Sequence, residues 1–196
     1  MRGNWTRSAI QYWLQAKYTL VEPHVELKSY VGDLLTSSDY QVEWITAGAA
    51  DKPGELDFTV AQNSVSSKFA VNQEDAKSLG LVQKQVQVLT LNDLVASRGG
   101  LIPEMVTIDA EGFDLRVLDG ASSLLGKTDI FLLEAAVLSN IENTLELLIP
   151  KMSAAGYRLI DITDINRSTK HDALWLVEAA FLKKTSQLLE SIDSYE

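Results

Sequence analysis

The sequence predicts a doubly wound α/β domain, mostly parallel, with an antiparallel pair of strands at its carboxyl end. Short apolar runs alternate with amphipathic stretches along the whole chain, as a parallel sheet with covering helices requires. Carboxylates stand directly after several of those runs, where such a sheet presents its ligands. The last two runs, 158–162 and 174–182, are joined by a polar loop too short for a crossover helix, so they pair antiparallel.

Trp5, Ala9, Tyr12, Trp13 and Ala16 recur at helical spacing and predict a helix over 4–16. Tyr18 to Val21 is a strand that stops at Glu22-Pro23, because proline cannot continue a ladder and disfavours helix at the residue before it. Leu27, Val31, Leu34 and Leu35 mark a second helix, and Val42 to Ala47 the next strand. Asp51-Lys52-Pro53-Gly54 has turn chemistry, and Leu56 to Val60 resumes as a strand antiparallel to its neighbour. Residues 62–82 are polar and aperiodic, a loop with some helix near 74–79. Val86 to Leu89 is a strand, and Leu91 to Ser97 a short helix stopped by Gly99-Gly100. Met105 to Ile108 is a buried strand ending at Asp109, followed by a helix through Val117, Leu118, Ala121, Leu124 and Leu125. Ile130 to Leu133 is apolar throughout, hence central. Ile141, Leu145, Leu148, Ile149 and Met152 form a helical stripe that Pro150 should kink or break; Gly156 ends it. The α/β domain spans 1–183, and 184–196 is a helical tail with a thin stripe of Leu188, Leu189 and Ile192.

The 196 residues hold no cysteine, which excludes a disulfide framework, a thiolate zinc site and a cysteine nucleophile. The formal net charge of -10 disfavours a nucleic-acid partner. No run approaches the ~20 apolar residues that span a bilayer, and Met1 to Trp5 leads into no signal-peptide core. The expectation is a cytoplasmic protein acting on something small.

Four places on the rim of the predicted sheet bear chemistry. Glu22 ends a strand where a carboxylate accepts from both hydroxyls of a nucleotide ribose; a solvated strand end is the plain alternative. Asp109 and Glu111 flank one residue before Gly112. In extended backbone they point the same way, which suits a proton acceptor or a cation site. Alternatively Asp109 caps the following helix and Glu111 lies in its first turn. Glu134 ends an apolar strand, where a carboxylate is costly unless it lies at the rim or is paired. Ser66 and Ser67 lie in a hydroxyl-rich loop suited to a substrate's polar groups. His24 reads as a surface histidine, and two distant histidines do not make a zinc site, so no metal is expected. The four tryptophans, Trp5, Trp13, Trp44 and Trp175, read as core.

The segment Val106-Thr107-Ile108-Asp109-Ala110-Glu111-Gly112-Phe113-Asp114-Leu115-Arg116-Val117-Leu118-Asp119-Gly120-Ala121 resembles the strand, acid–x–acid–Gly turn and Leu-x-Gly-Ala helix end of the FkbM-type methyltransferases. Leu20-Val21-Glu22-Pro23 is similar to that family's strand-end Glu-Pro, and the Ala47–Asp51 turn, the Ser66-Ser67 pair and Val88–Leu94 follow in the family's order. The resemblance implies a seven-stranded methyltransferase sheet and S-adenosylmethionine as cofactor. It implies that Gly3, Glu22, Ala49, Asp51 and Asp109 contact that cofactor, Glu22 at its ribose and the turn near its adenine. Asp109 and Glu111 would do the catalysis, and Ser66, Ser67 and Glu134 would meet the acceptor, a small-molecule or sugar-like hydroxyl. Two features depart from the family. Of its glycine-rich cofactor turn only Arg2-Gly3-Asn4-Trp5 is present, without the preceding first strand, and Thr107 stands where lysine is common. The alternative is a catalytically inactive Rossmann-like module that pairs with a partner chain, since an open sheet position invites pairing; self-association into a homo-oligomer fits either reading. No G-x-G-x-x-G follows a strand, which disfavours a dehydrogenase.

Overall fold

Among the described residues the apolar runs become strands, and these form three sheets rather than one. The structure is a computed structural model that describes residues 3–60, 82–138 and 143–189, with the backbone alone at Val60. The polar loop with Ser66 and Ser67, the helix expected near 74–79, Ile141 and the end of the tail lie outside the described residues. The chain divides into two compact units, one of Met1–Ala49 and Pro53–Leu89, the other of Ala50–Lys52 and Thr90–Glu196.

In the first unit, α1 (Asn4–Tyr12) is followed by β1 (Lys17–Val21), a 3₁₀ turn over Val25–Val31, α2 (Gly32–Thr36) and β2 (Gln41–Ile45). β1 and β2 pair in parallel, Lys17 opposite Gln41 through Val21 opposite Ile45. Ile10, Val31 and Leu34 are buried together, with Tyr18, Leu20, Val42 and Trp44 packed around them. Arg7 forks onto Asp33, its Nη2 donating to Oδ1 at 2.7 Å and to the Tyr30 carbonyl at 2.8 Å. That bidentate pair ties α1 to α2 and holds the Asp33 carboxyl down at about 2. α1 is shorter than the periodicity predicts. Trp13 leaves helical space at φ -130°, ψ 62°, and Ala16 N–H closes a turn on its carbonyl. Beyond Ile10 the stripe no longer meets the core, and Trp13 is 52% exposed. Trp175, at 47%, is also no core residue. The second predicted helix is largely 3₁₀, with only α2 closing as α-helix.

β3 (Gly48–Ala49), β4 (Gly54–Val60) and β5 (Val82–Leu89) complete this unit in the order β3-β5-β4. β4 is antiparallel, but to β5 rather than to the strand before its turn, and β3 runs parallel to β5.

The second unit begins with α3 (Leu91–Ser97), capped by Thr90, whose Oγ1 accepts from Asp93 N–H at 3.0 Å and donates to Asp93 Oδ2. There follow β6 (Met105–Ile108), α4 (Asp114–Asp119), β7 (Ile130–Ala136), α5 (Leu145–Ala154), β8 (Tyr157–Arg167) and β9 (Leu174–Lys183), with a closing 3₁₀ turn at Gln187–Leu189 in place of the start of a helical tail. The sheet order is β6-β7-β9-β8. β7 is central, as its unbroken apolarity requires, parallel to β6 and antiparallel to β9. β8 and β9 form the expected antiparallel hairpin, interrupted by register shifts. Across the described residues three pairings are parallel and three antiparallel, so the ladders are less parallel than the sequence predicts. β6 is also less buried than expected, with only Ile108 fully covered.

Leu118, Leu124, Phe131, Leu133, Leu148, Met152, Tyr157 and Phe181 fill the core of this unit. Tyr157 meets Phe131 edge to face at 5.2 Å, and its hydroxyl donates to the Thr128 carbonyl at 2.7 Å while accepting from Gly126 N–H at 3.0 Å. α5 is continuous through Pro150, without a break there. An interior proline costs about 3 kcal/mol, and full burial of Leu148 and Met152 on either side of it is of comparable magnitude.

Candidate functional site

The strand β6 delivers Asp109, and the five residues after Ile108 form a tight turn rather than an extended run. Glu111 sits in left-handed space at φ 50° and Gly112 at φ 98°. A glutamate there is strained by about 1 kcal/mol or more and marks a position held for a reason other than its own comfort. The turn overturns both sequence readings of the acid pair. Asp109 and Glu111 are not in extended register, and neither caps α4, whose N-cap is Phe113 without a side-chain bond.

The carboxylate that organises this turn is Asp114, which the sequence reading left without a role. It is 1% exposed and accepts from Ala110 N–H and Gly112 N–H, each at 3.2 Å. Burial pushes its carboxyl up to about 7, against the pull of those two amides. The one signal for it was an acid two residues past a glycine in a helix's first turn.

Asp109 is partly buried, and burial raises its carboxyl too, with Glu178 on β9 adding repulsion. Glu134 does not end its strand. β7 continues two residues further, and Glu134 lies directly opposite Glu178 in the β7–β9 register. Burial first, then Asp109, Asp114, Glu111 and Glu178, drive its carboxyl up to about 8. Like charges face to face across a ladder are unfavourable, and holding a proton on Glu134 removes the conflict. Glu178 is oriented by the Thr163 hydroxyl, which donates to its carboxylate. Asp109 and Glu134 thus make a partly dry carboxyl set, both raised above the ordinary carboxylate range by burial, with Glu111 exposed at its edge. Among the described residues no group of three His, Cys, Asp or Glu is arranged to hold a metal ion.

Asp51 is in the same unit but is engaged. Arg116 Nε donates to its Oδ1 at 2.9 Å and Nη2 lies 2.8 Å from the same atom, while the guanidinium stacks 4.7 Å over the Phe113 ring. That ion pair holds the Asp51 carboxyl below its ordinary range. Gly120 explains the Leu-x-Gly-Ala element. A Cβ there would lie 2.1 Å from the Ala50 carbonyl oxygen, so only glycine lets the chain pass.

The remaining candidates belong to the first unit. Glu22 follows β1, half-buried, and its Oε1 accepts from His24 N–H at 2.7 Å. Gly3 is the N-cap of α1 at φ 76°, and a Cβ would lie 2.4 Å from Val31 Cγ1, so both its left-handed backbone and its packing favour glycine there. Ala49 is half-buried and paired to Leu89. His24 is not at the surface as expected but 7% exposed, edge-on to Phe58.

Residues 3–159 match the Methyltransferase FkbM domain. No curated protein and no solved structure matches the chain. The matched span takes in Gly3, Glu22, Asp51 and the whole of the Asp109–Ala121 segment, and the chain accordingly belongs to the FkbM methyltransferase family.

Proposed function

We propose that this protein is an S-adenosylmethionine-dependent O-methyltransferase acting on a small-molecule or sugar-like hydroxyl. The observation that supports it most is the carboxyl set at the end of β6, where Asp109 and Glu134 titrate above the usual carboxylate range within a matched methyltransferase segment. A carboxylate suited to a ribose diol is held at the end of β1 as Glu22, fixed by the His24 amide. When bound, the cofactor supplies an electrophilic methyl group on a sulfonium sulfur.

In this reading Glu134 and Glu111 orient the acceptor hydroxyl, and Asp109 takes its proton as the oxygen attacks the methyl carbon. The proton ends on the Asp109 carboxylate, and the cofactor, were it bound, would supply the methyl group and the leaving group. Burial raises the Asp109 carboxyl above its ordinary range, which makes it a better proton acceptor. Alignment of oxygen, carbon and sulfur contributes the larger share of the rate. Asp51 is occupied by Arg116 and acts by holding its turn, with Ala49 just before it lining the adenine end and Gly3 shaping the start of α1. Ser66 and Ser67 are assigned to the acceptor on the resemblance alone.

The test is methyl transfer from labelled cofactor to a panel of hydroxyl acceptors. The reading expects turnover that Asp109→Asn lowers at least ~100-fold and that rises with pH as Asp109 ionises, its carboxyl being raised above the ordinary range by burial. Transfer to nitrogen or carbon acceptors only, or full activity in Asp109→Asn, contradicts it.

A further inference from the structure

β6 ends at Ile108, opposite Leu133, while β7 runs on to Ala136. Continued by one step, that parallel register would bring the Ala110 N–H onto the carbonyl of Glu134. The acid turn prevents this, because Asp114 Oδ1 takes the Ala110 amide. The Glu134 carbonyl and, two residues on, the Ala136 amide therefore need other partners on the side that β6 has left.

Asn143 supplies both. Its side-chain Nδ2 donates to the Glu134 carbonyl at 2.8 Å, and its main-chain carbonyl accepts from Ala136 N–H at 2.9 Å. One residue thus meets Glu134 and Ala136 as a residue of a parallel strand would, with the side-chain amide in place of the main-chain one. Thr144, the next residue, bridges Ala136 in parallel.

Stability alone does not account for this asparagine. It is 2% exposed, and its Oδ1 is buried without a hydrogen-bond partner. A buried amide oxygen left unpaired is destabilising, so a side chain kept only for packing would be apolar. What asparagine adds is the Nδ2 donor, and the residue it holds is the one that carries the Glu134 carboxyl.

We propose that Asn143 is a positioning residue of the candidate site. By standing in for the next residue of β6, it fixes the end of β7 where Glu134 stands and leaves the Ala110–Gly112 turn free to depart from the sheet. It acts through Glu134 rather than on the acceptor. Its effect on turnover rests on the functional reading above; its effect on Glu134 does not.

Glutamate carboxyl ¹³C titration of the full chain tests it, with Glu134→Gln identifying the Glu134 signal. Asn143→Ala removes the donor and keeps the main-chain bond to Ala136. In the parent, Glu134 is buried and faced by Asp109, Asp114, Glu111 and Glu178, and should titrate at about 8. In Asn143→Ala the freed carbonyl admits water, and the midpoint should fall by about one pH unit or more. Methyl transfer should lose ~10-fold or more in kcat, while S-adenosylhomocysteine affinity stays within about twofold. Asn143→Ser, whose hydroxyl stops one bond short of the carbonyl, should behave in the same way, and it decides the matter if Asn143→Ala does not fold by circular dichroism. An unmoved Glu134 midpoint in a folded variant overturns the proposal. So does an equal loss of kcat and cofactor affinity, which would make Asn143 merely structural. The titration needs no turnover, so a chain that transfers no methyl group would fail the functional reading while the titration still decides the role of Asn143.

Discussion

Asp114 shows how one buried side chain sets both the geometry and the pH response of the acid turn. In the folded chain its proton is lost near pH 7, and in the unfolded chain near ~4. Between those values the folded state holds more protons than the unfolded one, so folding stability is greatest at low pH and falls as pH rises toward 8. Glu134 acts in the same direction, with its carboxyl at about 8. Urea unfolding at pH 5, 7 and 9 should show this decline, and Asp114→Asn should flatten it by up to about 1.4 kcal/mol per pH unit. A profile equally steep in the variant would contradict the assignment. Tyr157→Phe removes a hydroxyl that serves both the Thr128 carbonyl and the Gly126 amide. It should cost about 1–3 kcal/mol at unchanged ring packing, measured by the same unfolding. Gly120→Ala should cost about 2 kcal/mol or more, because the Ala50 backbone cannot yield to a Cβ as a flexible side chain would; a neutral effect would mean that the turn is looser than its close approach implies.

At the scale of elements, period and punctuation located most strands, and contacts decided the rest. β7 was legible as central because it is apolar on both faces, and the β8–β9 hairpin because its linker is too short to cross over. The partner of β4 was not legible from its turn, because β4 pairs antiparallel with β5 and not with the strand across Asp51–Gly54. The end of α1 was not, because Trp13 continues the helical spacing while its surroundings leave it exposed. Pro150 announces a break that the burial of Leu148 and Met152 overrides. The acid turn was legible in composition and not in conformation. Nothing in Asp109-Ala110-Glu111-Gly112 signals that Glu111 turns left-handed, or that Asp114, three residues further on, binds the turn's amides. Glu134 illustrates the same limit: it was identified as costly, but only the register shows Glu178 opposite. Replacing Glu134 with glutamine removes that repulsion, and the variant should be more stable than the parent above pH 8 and close to it at pH 5, by thermal unfolding at both.

For the molecule as a whole, the formal net charge is -10, and among the described residues no helix is long and apolar enough to cross a membrane. Family membership gives the class of chemistry, and the cofactor is the point on which the functional account turns. Titration calorimetry of the folded chain with S-adenosylhomocysteine, beside Glu22→Ala and Asp109→Ala, tests it most directly. The account predicts micromolar binding to the parent, about −8 kcal/mol, weakened at least tenfold in each variant. A folded parent that takes up no S-adenosylhomocysteine, or variants that bind it as tightly as the parent, would contradict it.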